Sequence, residues 1–213
     1  GAALHRHGMA LPNQGDIDQQ SITGATATGT HGTGASLQNL SSRVVGARIA
    51  LASGEIVECS PTQNAELWQA SRLHLGAFGL VVAVQLQCVE SYRLQEQIQK
   101  LPLIEALNDL DTLVANNRHC EFFWYPQSDT ANLKTINPTD TPAEYPLAGE
   151  GERCGWSYEV LPNHRPHLHT EMEYSVPASQ GPECMRAIQS LLNNTFTDVC
   201  WPVAYGTLGA GDD

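Results

Sequence analysis

Fourteen residues, Ser21-Ile-Thr-Gly-Ala-Thr-Ala-Thr-Gly-Thr-His-Gly-Thr-Gly34, hold four glycines, five threonines, one serine and one histidine. Glycine lets backbone N–H groups come close to a ligand and lets the chain take positive φ. Successive backbone N–H groups in such a segment form a concavity suited to anions. Small hydroxyls add short-range hydrogen bonds. The chemistry on offer is therefore the cradling of a flat or phosphorylated ligand, against the plainer alternative of a Gly/Thr-rich surface turn. Spacing excludes two familiar versions. A phosphate-binding P-loop needs a lysine after its glycines, whereas Gly34 is followed by Ala35 and Ser36. A dinucleotide fingerprint needs G-x-G-x-x-G between a strand and a helix, and Gly29, Gly32 and Gly34 are spaced differently.

A second group of reactive side chains is His164, His167 and His169 beside Glu171 and Glu173. Pro166 keeps the stretch loop-like, and the paired-ligand spacing of a zinc site is missing. They are read as solvated loop histidines, with no metal assigned. Trp68, Trp124, Trp156 and Trp201 are candidates for stacking on a ligand, with core packing as the default. The six cysteines, at 59, 88, 120, 154, 184 and 200, form no CxxC pair. Cys59, Cys88, Cys120 and Cys200 lie in apolar runs and read as buried thiols of an intracellular, cytoplasmic protein.

A chain of 213 residues with 41% apolar content can bury a sizeable core in one or two domains. Its net charge of −12 argues against nucleic acid or an anionic membrane as partner. No apolar run reaches the length of a membrane span. The first residue is not Met and both ends read as cut, so a targeting signal is not legible.

The elements that must position these groups follow from pattern. Gly8 stops a short opening helix, and residues 11–16 carry turn chemistry. Residues 44–52 and 55–59 read as a hairpin around Ser53-Gly54. A helix over 65–74, capped by Thr62 or Asn64, stops at Gly76. Residues 80–89 are the strongest strand, apolar enough to be central in a sheet. A strand follows over 92–100. Pro102 then opens one helix whose Leu103, Leu107, Leu110 and Val114 share a face. The aromatic strand 119–125 pairs with 131–136. Residues 138–166 read as a long loop, and 169–176 alternate as a strand. Met185, Ile188, Leu191 and Leu192 form a helical stripe, and 199–208 close as a strand. Strands and helices mix without regular βαβ alternation, which favours α+β. A change of character near Ser91 marks a boundary between domains 1–91 and 92–213.

Five segments in order carry a resemblance. They are Gly8-Met-Ala-Leu-Pro-Asn-Gln-Gly-Asp-Ile-Asp18, the Gly/Thr segment 22–34, Leu75-Gly-Ala-Phe-Gly-Leu-Val-Val82, Glu121-Phe-Phe-Trp-Tyr-Pro126 and Glu171-Met-Glu-Tyr-Ser-Val-Pro177. Together they resemble the vanillyl-alcohol-oxidase-type (PCMH-type) flavoproteins, in the sugar-lactone and alditol oxidase branch (D-arabinono-1,4-lactone oxidase-like). The resemblance implies an α+β fold, with FAD as cofactor and a sugar lactone or polyol as substrate. It makes residues 1–91 the second part of a PCMH-type FAD-binding domain and 92–213 an incomplete substrate (cap) domain. The family's upstream Gly-rich loop and downstream His-Trp-Gly-Lys segment are not in this sequence. The chain alone is therefore expected to hold FAD poorly and to be inactive.

The same resemblance assigns roles. Thr30, the one catalytic candidate, is placed with its hydroxyl near flavin N5 and the substrate. His31 becomes a cofactor contact rather than a base, with a structural histidine as the competing role. Gly29 leaves space above the ring. Gly15, Asp16, Ser21, Gly24, Thr28 and Gly32 are diphosphate, ribityl or ring contacts, and Gly79 and Val81 lie toward the adenosine end. In Trp201-Pro-Val-Ala-Tyr-Gly206, Ala204 and Gly206 stand where similar proteins have Glu and Arg. An alanine and a glycine supply neither carboxylate nor guanidinium. The segment 209–213 is likewise a softened version of the family's. The expected activity is hydride transfer from a CH–OH group to flavin N5. The alternatives are a flavin- or partner-binding remnant that has lost its site, and an unrelated α+β domain whose Gly/Thr loop binds another anion.

Overall fold

The computed structural model describes residues 1–210, so the reading made on 209–213 lies largely outside the described residues. The chain opens with α1 (Ala2–His5), β1 (Met9–Ala10) and α2 (Ile22–Ala27). Helix α2 corrects the expectation of a continuous Gly/Thr loop. Ser21 Oγ accepts the Gly24 N–H at 3.2 Å and caps it. Thr26 Oγ1 donates to the Ile22 carbonyl at 3.0 Å, while Ala25, Thr26 and Ala27 are buried. A cap and a small apolar face thus outweigh the weak helix propensity of Gly and Thr.

Strands β2 (Val44–Ala50) and β3 (Ile56–Cys59) form the expected hairpin, with Ala50 opposite Ile56. Helix α3 (Ala65–Ser71) follows and is shorter than its apolar pattern. Asn64 does not cap it through its side chain, because its Nδ2 donates to the Glu58 carbonyl. Strand β4 (Leu80–Leu86) pairs with the other side of β2, giving the order β3-β2-β4. This corrects its expected central place. The hairpin has taken one edge of β2, so β4 is an edge strand, and Leu80 stands 71% exposed. Strand β5 (Val89–Glu90) pairs with β1.

The second half is built on β6 (Arg93–Pro102), α4 (Leu103–Asn108), α5 (Leu110–Asn116), β7 (His119–Trp124) and β8 (Thr130–Pro138). They are followed by β9 (Cys154–Trp156), α6 (Ser157–Val160), α7 (Gly181–Asn194) and β10 (Val203–Gly206). The strands make one antiparallel sheet, β10-β7-β8-β6-β9. The single helix expected after Pro102 is two helices, because Asp109 (φ −96°, ψ 7°) leaves helical geometry. Asn108 and Asp109 are short polar residues that favour turns. Both helices still lay Leu103, Ala106, Leu107 and Leu110 on Phe122, Trp124 and Leu133, and Met185 of α7 joins them.

Three further readings are corrected. Residues 138–166 contain β9 and α6, held to β6 by the pairing of Gln95 with Cys154. Three residues are too few to show a period. Residues 169–176 are exposed and form no strand, since alternation needs a free edge to pair with. The closing strand is only Val203–Gly206. All six cysteines are free. Cys59, Cys120 and Cys154 are buried and Cys88 is half-buried, but Cys200 is exposed, contrary to expectation. Among the described residues no helix is long and apolar enough to cross a membrane.

Candidate functional site

One wall of the site is the ribbon that follows α2. Thr28 closes the helix, and Gly29 turns the chain at φ +74°, a conformation that disfavours any Cβ. A Cβ there would also sit 2.9 Å from Leu73 Cδ1. Thr28 Oγ1 donates to the Gly24 carbonyl at 3.1 Å, and Thr30 Oγ1 donates to Gln20 Oε1 at 3.3 Å. The turn carrying Gly15 lies directly beneath, where a Cβ on Gly15 would be 2.8 Å from the Thr30 methyl. Gly32 packs as tightly on the Gln14 carbonyl and Asn13 side chain. His31 Nδ1 donates to the Gly32 carbonyl at 2.9 Å, and its Nε2 lies 2.9 Å from Glu173 Oε1. Val81 sits on β4, which packs on α2, and Gly79 immediately precedes that strand. Gly79 takes φ +123° and lies so close to β2 that a Cβ would be 2.5 Å from the Ala50 carbonyl. The structure therefore brings Gly15, Asp16, Ser21, Gly24 and residues 28–32 into one surface, with Val81 on the neighbouring strand and Gly79 just before it.

The opposite wall is the face of the five-stranded sheet turned away from α4, α5 and α7. Successive side chains of a strand alternate faces. Cys120, Phe122 and Trp124 enter the helical core, so His119, Glu121 and Phe123 face the ribbon side. Ala204 lies opposite Phe123 and Gly206 opposite Glu121, which puts both on that face. The ribbon is tied to this sheet. His119 Nδ1 donates to the Thr33 carbonyl at 2.8 Å, and the Gly34 N–H donates to the Thr207 carbonyl at 2.6 Å. A Cβ on Gly206 would meet the Thr33 methyl at 2.7 Å.

Between the walls runs a network of buried charge that the sequence reading missed. Lys134 Nζ lies 3.3 Å from Glu121 Oε1 and 3.4 Å from Glu96 Oε1. Glu96 is fully buried and holds Arg153 through two bonds, 2.7 and 2.5 Å, while accepting the Gly151 N–H at 2.7 Å. Burial raises the Glu96 carboxyl, but Arg153, the Gly151 N–H and Lys134 outweigh it and hold the group below the usual range. Arg153 reaches Asn163 Oδ1 at 2.8 Å, and Asn163 in turn bonds Asp16 through backbone and side chain. Arg165 Nε donates to Asp16 Oδ2 at 2.7 Å. The Asp16 carboxylate thus bonds residues 163 and 165 of the second half.

Two other groups are shifted. Burial raises Glu121, which Lys134 only partly offsets and the nearby Asp16 reinforces. Burial and the Arg118 guanidinium push His119 down to about 4, so its imidazole is neutral near pH 7. Its Nε2 is buried without a hydrogen-bond partner. The Glu121–Lys134 pair was within reach of the sequence, because the hairpin expected over 119–136 sets those residues opposite one another. Glu96 and Arg153 are 57 positions apart and leave no local signal. The segment carrying His164, His167 and His169 is exposed. The His169 ring stacks on Trp201 at 6.2 Å, and its Nε2 lies 3.5 Å from Glu171.

Known proteins share both walls. A family model described as an FAD binding domain matches residues 1–60. That of D-arabinono-1,4-lactone oxidase matches residues 84–149 and 145–212. The L-gulono-1,4-lactone dehydrogenase of Mycobacterium tuberculosis is 33% identical over 95% of this chain and 56% of its own length. The L-gulonolactone oxidase of Bos taurus is 37% identical over 65% of this chain and 32% of its own. The D-arabinono-1,4-lactone oxidase of Yarrowia lipolytica is 31% identical over 67% and 27%. The chain thus spans about half, or less, of the curated relatives it matches. Among solved structures, a cholesterol oxidase from B. sterolicum superimposes with a TM-score of 0.59 at 19% identity, covering 65% of this chain and 29% of that one. That likeness concerns the fold alone. Ribbon, sheet and order of segments together place the chain, an α+β protein of PCMH type, in the D-arabinono-1,4-lactone oxidase family.

Proposed function

We propose that the chain supplies the FAD-facing ribbon and the substrate-facing sheet of an FAD-dependent oxidoreductase acting on sugar lactones or related polyols. Residues 1–91 are the second part of the FAD-binding domain in this reading, and 92–213 the start of the substrate domain. The observation that carries it is the seam itself. The ribbon meets the sheet bearing Phe123, Ala204 and Gly206 at Thr33 and Gly34, where His119 donates to the Thr33 carbonyl and Gly34 to that of Thr207.

The residues present fit FAD. Small side chains line this surface, with Ser21 and Thr28 exposed and Thr30 half-buried, beside the tight Gly15 turn. When bound, FAD supplies the hydride acceptor and is reoxidised by oxygen or another acceptor. The chain's own part is binding and orientation. Thr30 presents a hydroxyl on the ribbon, where it donates to Gln20 Oε1. His31 is fixed by Gly32 and Glu173. The neutral His119 positions Thr33 without adding a positive charge. The free thiols fit a reducing compartment such as the cytoplasm.

Ala204 and Gly206 favour a second reading, in which the scaffold binds flavin but has lost turnover. The test is to express the chain joined to the upstream Gly-rich loop and the downstream His-Trp-Gly-Lys segment of its family, to titrate the folded protein with FAD, following flavin fluorescence and absorption, and then to add L-gulono-, L-galactono- and D-arabinono-1,4-lactone without oxygen. Bleaching of bound flavin by any of them supports the first reading. Bound flavin that none of these lactones, nor a polyol such as xylitol, bleaches supports the second. A folded chain that perturbs neither signal at saturating FAD overturns both.

A further inference from the structure

The buried Glu96–Arg153 pair does not end in the sheet. Arg153 spends its remaining donors on the chain that follows α6. Its Nη1 donates to the Pro162 carbonyl at 2.8 Å, and its Nη2 to Asn163 Oδ1 at 2.8 Å. A guanidinium is planar and carries its donors in a fixed fork. With Glu96 holding the other side of that fork, the Asn163 amide is set in one orientation, with Oδ1 toward Arg153 and Nδ2 toward Asp16.

Asp16 is then held at each of its oxygens. Its carbonyl accepts the Asn163 N–H at 2.6 Å, Oδ1 accepts Asn163 Nδ2, and Oδ2 accepts Arg165 Nε at 2.7 Å. The neighbouring residue, Gly15, packs directly on the ribbon. A Cβ there would lie 2.8 Å from the Thr30 methyl and 3.6 Å from the His31 carbonyl. An unbroken path of contacts thus runs from a carboxylate buried in the second half, through Arg153, Asn163 and Asp16, to Thr30. Burying a charge pair carries a desolvation cost that an apolar pair avoids. Here the pair orients a polar group that an apolar pair could not orient.

We propose that Asn163 is a positioning residue for the cofactor. Anchored by Glu96 and Arg153, it sets the Gly15–Asp16 turn against Thr30 and so fixes the shape of the ribbon that receives FAD. This rests on the FAD-dependent reading above.

The test exchanges donor and acceptor. Asn163→Asp keeps the acceptor for Arg153 but sets a carboxylate against Asp16. Asp16→Asn sets two amide donors against Asn163 and Arg165, of which only one finds an acceptor. In the double variant, Asn at 16 can accept from Arg165 and donate to Asp at 163, so every bond is restored with one reversed. FAD affinity is measured by flavin fluorescence on the extended protein described above. Each single variant is expected to bind about tenfold more weakly, the equivalent of one or two hydrogen bonds, and the double variant to return to within about threefold of wild type. Leu107→Ala, a cavity in the core under α4, controls for destabilisation and should leave FAD affinity per folded molecule unchanged. The Asp16 side chain is half exposed, so its variant tests the grip even if Asn163→Asp fails to fold. Single variants within twofold of wild type overturn the proposal alone, as does a double variant no better than the singles, which would make Asp16 a direct ligand contact. Equal weakening by Leu107→Ala also overturns it, by reducing the effect to stability. A folded wild type that binds no FAD overturns the proposal and the functional reading together.

Discussion

The five-stranded sheet closes a core of its own, with Trp124 and Phe122 buried beneath α4, α5 and α7. The three-stranded sheet does not. It buries Val44, Ile49 and Cys59 but leaves Leu80 71% exposed and Val82 47%. The second region holds itself together through burial of large apolar side chains. The first gains much of its order from the seam, through His119 to Thr33, Gly34 to Thr207, and the Asp16 bonds to Asn163 and Arg165. The glycine-rich ribbon belongs to the loosely cored region, but its conformation is fixed by contacts with the well-cored one. A candidate ligand surface on such a seam can be displaced by changes on either side.

The contrast predicts a graded series. Trp124→Ala should cost the most, about 3–5 kcal/mol in urea unfolding, because it empties the core of the five-stranded sheet and frees the Ser128 carbonyl that Trp124 Nε1 donates to. A loss under about 1 kcal/mol would mean that the two regions do not differ in how they are held.

His119 comes next, at the seam. Its folded-state pKa, about 4, lies below the 6.5 of an unperturbed imidazole. As pH falls from 6.5 toward about 4, the unfolded chain takes up a proton that the folded chain does not. Stability is therefore lost across that window and levels off below it, by about 3 kcal/mol in all. His119→Gln removes the titrating group and keeps a donor for Thr33, so stability measured against pH should flatten between those limits. An unchanged slope would place the titration elsewhere.

Ser21→Ala removes the cap of α2 and should cost about 1 kcal/mol, with faster amide exchange confined to the ribbon. Exchange that quickens equally in β7 and β8 would show that the ribbon and the sheet unfold as one unit. Leu80→Gln should change stability by no more than about 0.5 kcal/mol, since that side chain is largely in solvent. A larger loss would show that β4 is covered in solution and would weaken the contrast.

Much of the architecture was legible from local pattern. The hairpin around Ser53-Gly54 and the β7–β8 pair were marked by apolar strands separated by turn residues. The stripe of α7 was marked by helical spacing. What failed had a shared cause. The place of β4 at an edge, the lack of a strand over 169–176 and the three-residue β9 all depend on which strand edges are open, and sequence period does not record that. Helix α2 was hidden because Gly and Thr are poor helix formers, while its cap and its buried alanines act only after packing.

The candidate site divides in the same way. By itself the sequence determined that a ribbon of small residues can approach a cofactor closely, that five ordered segments mark the family, and that positions 204 and 206 lack a carboxylate and a guanidinium. These are properties of residue type and order. Only the tertiary structure decided that Asp16 is bonded to Asn163 and Arg165, that His119 is neutral and ties the ribbon to the sheet, and that Gly206 lies opposite Glu121 and Ala204 opposite Phe123. Those facts depend on distances of a few ångströms between residues far apart in the chain, and on the burial that lets such contacts outweigh water.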